Sequence, residues 1–129
     1  MRVKYREGLL FTTVTLTHGG HTLAVSDVIV DTGAAQSLIS TDAVDEIFQR
    51  YEPSDKLVTL GGIGGDAVSV RRKIDLVQLD DFSARDFFID FASMAMHPGI
   101  NGLLGMDILT AGRYTIDLGD MRVWRDTDR

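Results

Sequence analysis

One carboxylate in this sequence stands where a charge is costly. The run Val28-Ile29-Val30-Asp31-Thr32-Gly33-Ala34 places Asp31 directly after unbroken apolar residues and directly before a turn composition. A carboxylate leaving a buried strand loses solvation and needs hydrogen-bond donors. The amides of Gly33 and Ala34 and the Thr32 hydroxyl, of this chain or of a second copy, are suited to supply them, and Gly33 lets the backbone turn close to the acid. The chemistry such a group offers is proton transfer. Asp-Thr-Gly is also an ordinary turn composition. Its setting is what singles it out, because downstream the residues Ser37-Leu38-Ile39-Ser40 return to strand character.

Two glycine clusters follow. Gly61-Gly62-Ile63-Gly64-Gly65 lies between Val58 and Leu60 on one side and the alternating Val68 and Val70 on the other. A phosphate-cradling loop would lead into a helix, whereas period two continues here, so the cluster reads as a hairpin tip. Glycines on both sides of one apolar residue let a backbone approach a ligand closely, as a lid over a site requires; a plain surface hairpin has the same composition. Gly102-Leu103-Leu104-Gly105 is uncharged and compact, and by itself means a buried crossing. Asp107 is expected to cap the short helix that begins there, a structural role.

The elements that must position these residues are legible from periodicity. Leu9 to Thr17 and Thr22 to Val30 read as strands joined by a turn at His18-Gly19-Gly20-His21. The two histidines have no third ligand nearby, so they are assigned to the turn and no metal is expected. Val44, Ile47, Phe48 and Tyr51 fall at helical spacing behind Ser40, Thr41 and Asp42, which suit an N-cap, and Pro53 closes that helix. Ile74 and Leu76 continue the strand after the glycine tip, Phe87, Ile89 and Phe91 alternate in another, and a loop with Pro98 and Gly99 leads to Ile100. A last hairpin is expected from Tyr114 to Trp124, turning at Gly119-Asp120. No internal repeat or linker divides the chain, so a single all-β domain over residues 1–129 with one or two short helices is the expectation.

Composition narrows the function classes. At 129 residues, with 44% hydrophobic and 25% charged residues, the chain is an ordinary globular length and mix. A net charge of −6 argues against a nucleic-acid partner. The short basic stretches Arg2 to Arg6 and Arg71 to Lys73 are read as solvated strand positions. There is no cysteine, which excludes disulfides and thiolate metal sites, and no run reaches the roughly 20 apolar residues of a membrane span. A cytoplasmic location without membrane association is expected, with no cofactor.

Taken in order, the three segments resemble the retropepsin-like aspartic proteases over roughly residues 9 to 118. Asp31-Thr32-Gly33-Ala34 is similar to the catalytic loop of that family, Gly61 to Gly65 to its flap, and Gly102-Leu103-Leu104-Gly105-Met106-Asp107-Ile108-Leu109 to the glycine motif ahead of its terminal helix. The resemblance implies a mostly β acid-protease barrel. It implies that Asp31 is the catalytic carboxylate, that Thr32 hydrogen-bonds across a dimer axis beneath it, and that Gly33 contacts substrate backbone. Gly62, Ile63 and Gly64 would close over a bound peptide, with Ala34, Ala35 and Leu103 on the cleft walls. Only one Asp-Thr-Gly occurs, so a homodimer is implied, in which two Asp31 carboxyls about 3 Å apart share one proton and activate water against a peptide bond. Ala34 stands where pepsin-like enzymes carry a hydroxyl, which points to activity from mildly acidic to neutral pH. Ala35 and Met106 replace an acidic residue and an arginine that pair near the interface of retroviral members. The alternative reading is a catalytically silent dimeric domain of the same fold that binds peptides or acts as a scaffold.

Overall fold

Alternating apolar residues and tight turns build most of the fold, which a computed structural model describes for residues 1–60 and 67–126. The elements in chain order are β1 (Lys4–Arg6), β2 (Leu9–His18), β3 (His21–Val30), β4 (Leu38–Ser40), a 3₁₀ helix (Thr41–Ile47), β5 (Lys56–Leu60), β6 (Ala67–Leu79), β7 (Phe82–Ala92), β8 (Gly102–Leu104), α1 (Met106–Ala111), β9 (Tyr114–Asp117) and β10 (Arg122–Arg125). Strands β2 and β3 are joined by Gly19 and Gly20, both at positive φ, the conformation a two-residue hairpin demands. Strand β6, 13 residues long, extends past the predicted alternation and reverses into β7 through Asp80, itself at positive φ.

The sheet runs β1-β2-β3-β8-β4-β7-β6-β5, and a further antiparallel pairing of β2 with β6, through Leu16 and Val77, closes its middle six strands into a barrel. This is the mostly β architecture with short helices that the resemblance implies. Among the described residues, closure leaves β1 and β5 as the edges of this sheet, and β1 is short and exposed throughout, which limits edge-to-edge association there. The final hairpin forms a separate ribbon of β9 and β10, with register Asp117 to Arg122.

A bulge in β3 decides which way the candidate acid faces. Thr12 pairs with Val28 but Val14 pairs with Val25, so Thr13 lies opposite both Ser26 and Asp27. Asp27 takes a φ of +58°, and the bulge is held by Asn101, whose amide donates to the Asp27 carbonyl at 2.9 Å and whose side chain donates to the Ser26 carbonyl at 3.0 Å. The extra residue reverses the alternation: Val25 and Val28, three apart, are both buried in the barrel. Ile29 and Asp31 are thereby turned to the opposite face from Val28 and Val30.

Leu16, Val28, Ile39, Ile74, Ile89, Phe91, Leu104 and Ile108 fill the centre of the barrel. Each aliphatic side chain fully buried in this way contributes on the order of 1.5–3 kcal/mol. The stretch after Ser40 departs from the predicted amphipathic α-helix. It is a 3₁₀ helix broken at Val44, Ser40 provides no side-chain cap, and Tyr51 is exposed, although Val44 and Ile47 are buried and the Phe48 ring lies 4.7 Å from Phe91. Thr, Asp and Val are weak helix formers, and packing of three apolar residues sets the geometry instead.

Of the basic residues read as solvated, Arg72 is buried and Arg71 is partly covered. Arg72 is 1% exposed; its guanidinium bonds Asp55 through Nε at 2.8 Å, donates to the carbonyls of Ile47 and Arg50, and stacks on Phe48. Arg71, on the other side of the strand, pairs with buried Asp90 at 2.7 Å. Their carboxylate partners lie 17 and 19 residues away, which is why a local charge run misleads. His18 is likewise buried rather than a turn residue on the surface. Its Nδ1 accepts the Asp75 amide, which leaves Nε2 to donate to Glu52 at 2.8 Å.

Candidate active site

Strand β3 ends at Val30, and the next four residues form a tight loop whose backbone is fixed from both sides. The Asp31 amide donates to the Leu104 carbonyl at 2.9 Å, and the Ala34 amide returns to the Asp31 carbonyl at 3.2 Å. The Asp31 carboxylate, half-buried, accepts the Gly33 amide at 2.9 Å. Of the donors the sequence suggests, Gly33 makes the bond; the Ala34 amide goes to the backbone carbonyl instead, and the Thr32 side chain is exposed beside the acid. A Cβ on Gly33 would lie 3.2 Å from Asp31 Oδ1, so glycine keeps the carboxylate approachable.

The loop is held from below by a segment 70 residues later in sequence. The Met106 and Asp107 amides donate to the carbonyls of Ala34 and Ala35, at 2.7 and 3.2 Å. Asp107 then grips Ser37 twice, accepting its amide at 3.0 Å and its hydroxyl at 2.7 Å, and Ser37 Oγ in turn accepts the Gly105 amide at 2.9 Å. Asp107 is thus structural as expected, but it is not the cap. The helix starts at Met106 after Gly105, and Asp107 takes the Ile108 amide from inside the first turn while tying the acid loop to α1. Ser37, 1% exposed, is a site-supporting residue that sequence reasoning missed; only its place six residues after Asp31 hinted at it.

The two glycines of the crossing have steric reasons. A Cβ on Gly102 would meet the Leu38 carbonyl oxygen at 2.5 Å, and one on Gly105 would meet the Ala34 oxygen at 2.7 Å. Between them Leu103 pairs with Ile29 on one side and Leu38 on the other, which sets three apolar side chains in a row across β3, β8 and β4. That row lies on the same face as Asp31, which follows Ile29 by two residues just past the end of β3, a spacing of about 7 Å.

Of the residues singled out by sequence, Asp31, Thr32, Gly33, Ala34 and Ala35 are therefore gathered in one loop with Leu103 close behind. Gly62, Ile63 and Gly64 lie outside the described residues. The strands on either side of them, β5 and β6, pair antiparallel with Leu60 opposite Ala67. Met106 and Ala35, where a charged pair is usual in retroviral members, sit next to the backbone ties just described. Nearby, buried Asp90 carries both the Arg71 ion pair and an amide bond to the Ser37 carbonyl at 3.1 Å. The bond to Asp90 raises the Arg71 guanidinium above its ordinary pKa.

A sequence model described as aspartyl protease matches residues 14–108, from β2 through the Asp31 loop and into α1. No curated protein matches the chain.

Proposed function

Because the chain belongs to the aspartyl protease family, we propose that it is an endopeptidase that works as a homodimer, with one Asp31 from each subunit. The observation that carries this reading is the Asp31 carboxylate, turned by the bulge to the face of the apolar row and held by the Gly33 amide, with Thr32 exposed next to it. A single such loop supplies one carboxyl, and the chemistry needs two in different protonation states. Two carboxyls about 3 Å apart resist double ionisation and share one proton. The ionised member takes a proton from a water that attacks the scissile carbonyl, and the neutral member donates to the carbonyl oxygen. The dyad acts as one coupled acid–base unit, with the Gly33 amide holding each carboxylate in place.

The substrate is a peptide, and the three apolar side chains lying across β3, β8 and β4 beside Asp31 offer walls for its apolar side chains. The test combines sizing in solution with cleavage of a mixed peptide library by the wild type and by Asp31→Asn. A dimer whose cleavage disappears on substitution is expected. Cleavage that survives Asp31→Asn, or an active monomer, would refute the mechanism; a dimer that binds peptides without cleaving them would point to the silent relative instead.

A further inference from the structure

The row beside Asp31 does not stop at its three apolar members. Register carries it on from Leu38 of β4 to Asp90 of β7, then to Arg71 of β6 and Lys56 of β5. Residues paired across strands share a face, so Ile29, Leu103, Leu38, Asp90, Arg71 and Lys56 form one line, apolar next to the acid loop and charged at its far end. Ile89 and Phe91, on either side of Asp90 in the chain, fill the core, which leaves Asp90 on the opposite face. Phe88 and Lys73, two positions further along β7 and β6, pair with each other on that same face.

The far end carries cations that nothing in the fold neutralises. Asp90 is 1% exposed and accepts Nε and Nη2 of Arg71, at 2.7 and 3.2 Å, so those two charges cancel. The other N–H groups of the Arg71 fork have no partner among the described residues, and its side chain is 28% exposed. Lys56 and Lys73 are exposed and form no ion pair among the described residues, and the Lys56 ammonium lies 5.7 Å from the centre of the exposed Phe88 ring. This is a basic patch on a chain whose net charge is −6. A nucleic-acid backbone needs a longer basic track than two unpaired lysines, whereas one acidic side chain on a peptide lying along the row needs no more than this. We infer that the patch is a subsite for an acidic residue flanking the cleaved bond, with Lys56 and Lys73 supplying the charge and the open side of the Arg71 fork supplying hydrogen bonds. The inference rests on the proposed peptide-binding function and narrows its substrate class. Four strand spacings separate Ile29 from Arg71, about 19 Å along the sheet, which barrel curvature shortens, so an extended peptide places the acid roughly three to six residues from the bond. In a two-fold dimer one patch stands at each end of the cleft, and an acid on either flank is recognised.

The probes are dodecapeptides capped at both ends, with an uncharged dye and a central pair of leucines, carrying glutamate, glutamine or lysine at one outer position at a time. They are titrated into the Asp31→Asn protein and into the same protein with Lys56→Gln, Lys73→Gln or both. Arg71 is left intact, because its loss would strand buried Asp90. At one or more outer positions glutamate should bind about tenfold tighter than glutamine at about 0.05 M salt, with lysine weaker still, and about 0.5 M salt should close most of that gap. The double lysine substitution should bring glutamate peptides down to the level of glutamine peptides. A glutamate preference that is absent, that survives both substitutions or that ignores salt would overturn the inference, as would no binding of any peptide. A thymidine oligonucleotide that binds through the same two lysines would also overturn it and reassign the patch to nucleic acid. Cleavage by the wild type tests the enzymatic reading separately: glutamate-selective binding without cleavage leaves the subsite standing and removes the protease, and cleavage that treats glutamate and glutamine alike does the reverse.

Discussion

Replacing Asp107 by alanine tests whether the acid loop is held by the helix behind it. The substitution removes three hydrogen bonds at once, to the Ser37 amide, the Ser37 hydroxyl and the Ile108 amide. Ser37 and Ile108 are both 1% exposed, so none of the three donors is readily rehydrated, and the two on Ser37 alone set a lower bound. A buried donor left without a partner costs on the order of 1–3 kcal/mol, so the two together should cost about 3 kcal/mol. For a domain stable by about 5–15 kcal/mol this is a large fraction. With a urea slope of about 1–3 kcal/mol per molar, the unfolding midpoint should fall by roughly 1–3 M with the slope unchanged. Ser37→Ala alone removes the hydroxyl and should cost less. In a double-mutant cycle the two substitutions should couple by at least about 1 kcal/mol, since each removes what the other leaves stranded. A loss below about 1 kcal/mol for Asp107→Ala, or strictly additive single effects, would refute the account of how Asp31 is positioned.

The buried Arg72–Asp55 pair predicts a pH dependence. The Arg72 guanidinium holds the Asp55 carboxyl below the ordinary carboxylate range, so its stabilisation is fully present above the unfolded value near 3.9 and is lost as pH falls through the lower folded value. The stability difference between wild type and Asp55→Asn, measured by denaturant titration, should therefore be large at pH 6 and shrink towards pH 2; a difference independent of pH would contradict the pairing. At the crossing, Gly105→Ala forces a Cβ to 2.7 Å from the Ala34 oxygen, against backbone that cannot yield, and should cost about 2–3 kcal/mol. Gly33→Ala meets only the Asp31 side chain, at 3.2 Å, and should leave stability nearly intact while lowering peptide cleavage. Equal effects of the two on unfolding would show that the steric reading is wrong.

Much of the fold was legible because its determinants are local. Gly19-Gly20 fixes the first hairpin, the alternation from Val68 to Leu76 and from Phe87 to Phe91 marks β6 and β7, and the last ribbon follows its turn as expected. Asp31-Thr32-Gly33 stood out for the same reason, since an acid at the end of an apolar run is a contradiction visible in seven residues. The helix after Ser40 was misread because period alone cannot tell an α-helix from a kinked 3₁₀ turn that packing shapes.

What the chain order could not reveal are the pairings between residues far apart. The bulge that turns Asp31 outward depends on Asn101 reaching Ser26, 75 positions away, and the loop below the acid depends on Asp107 reaching Ser37 across 70. Arg72 looked like a surface charge until folding brought Asp55 and two carbonyls around it. A sequence names every donor and acceptor and every apolar face, and so determines which elements form. Which donor meets which acceptor is decided only when barrel closure brings distant strands together, because a hydrogen bond reaches about 3 Å and gains its strength from the burial that the tertiary fold supplies.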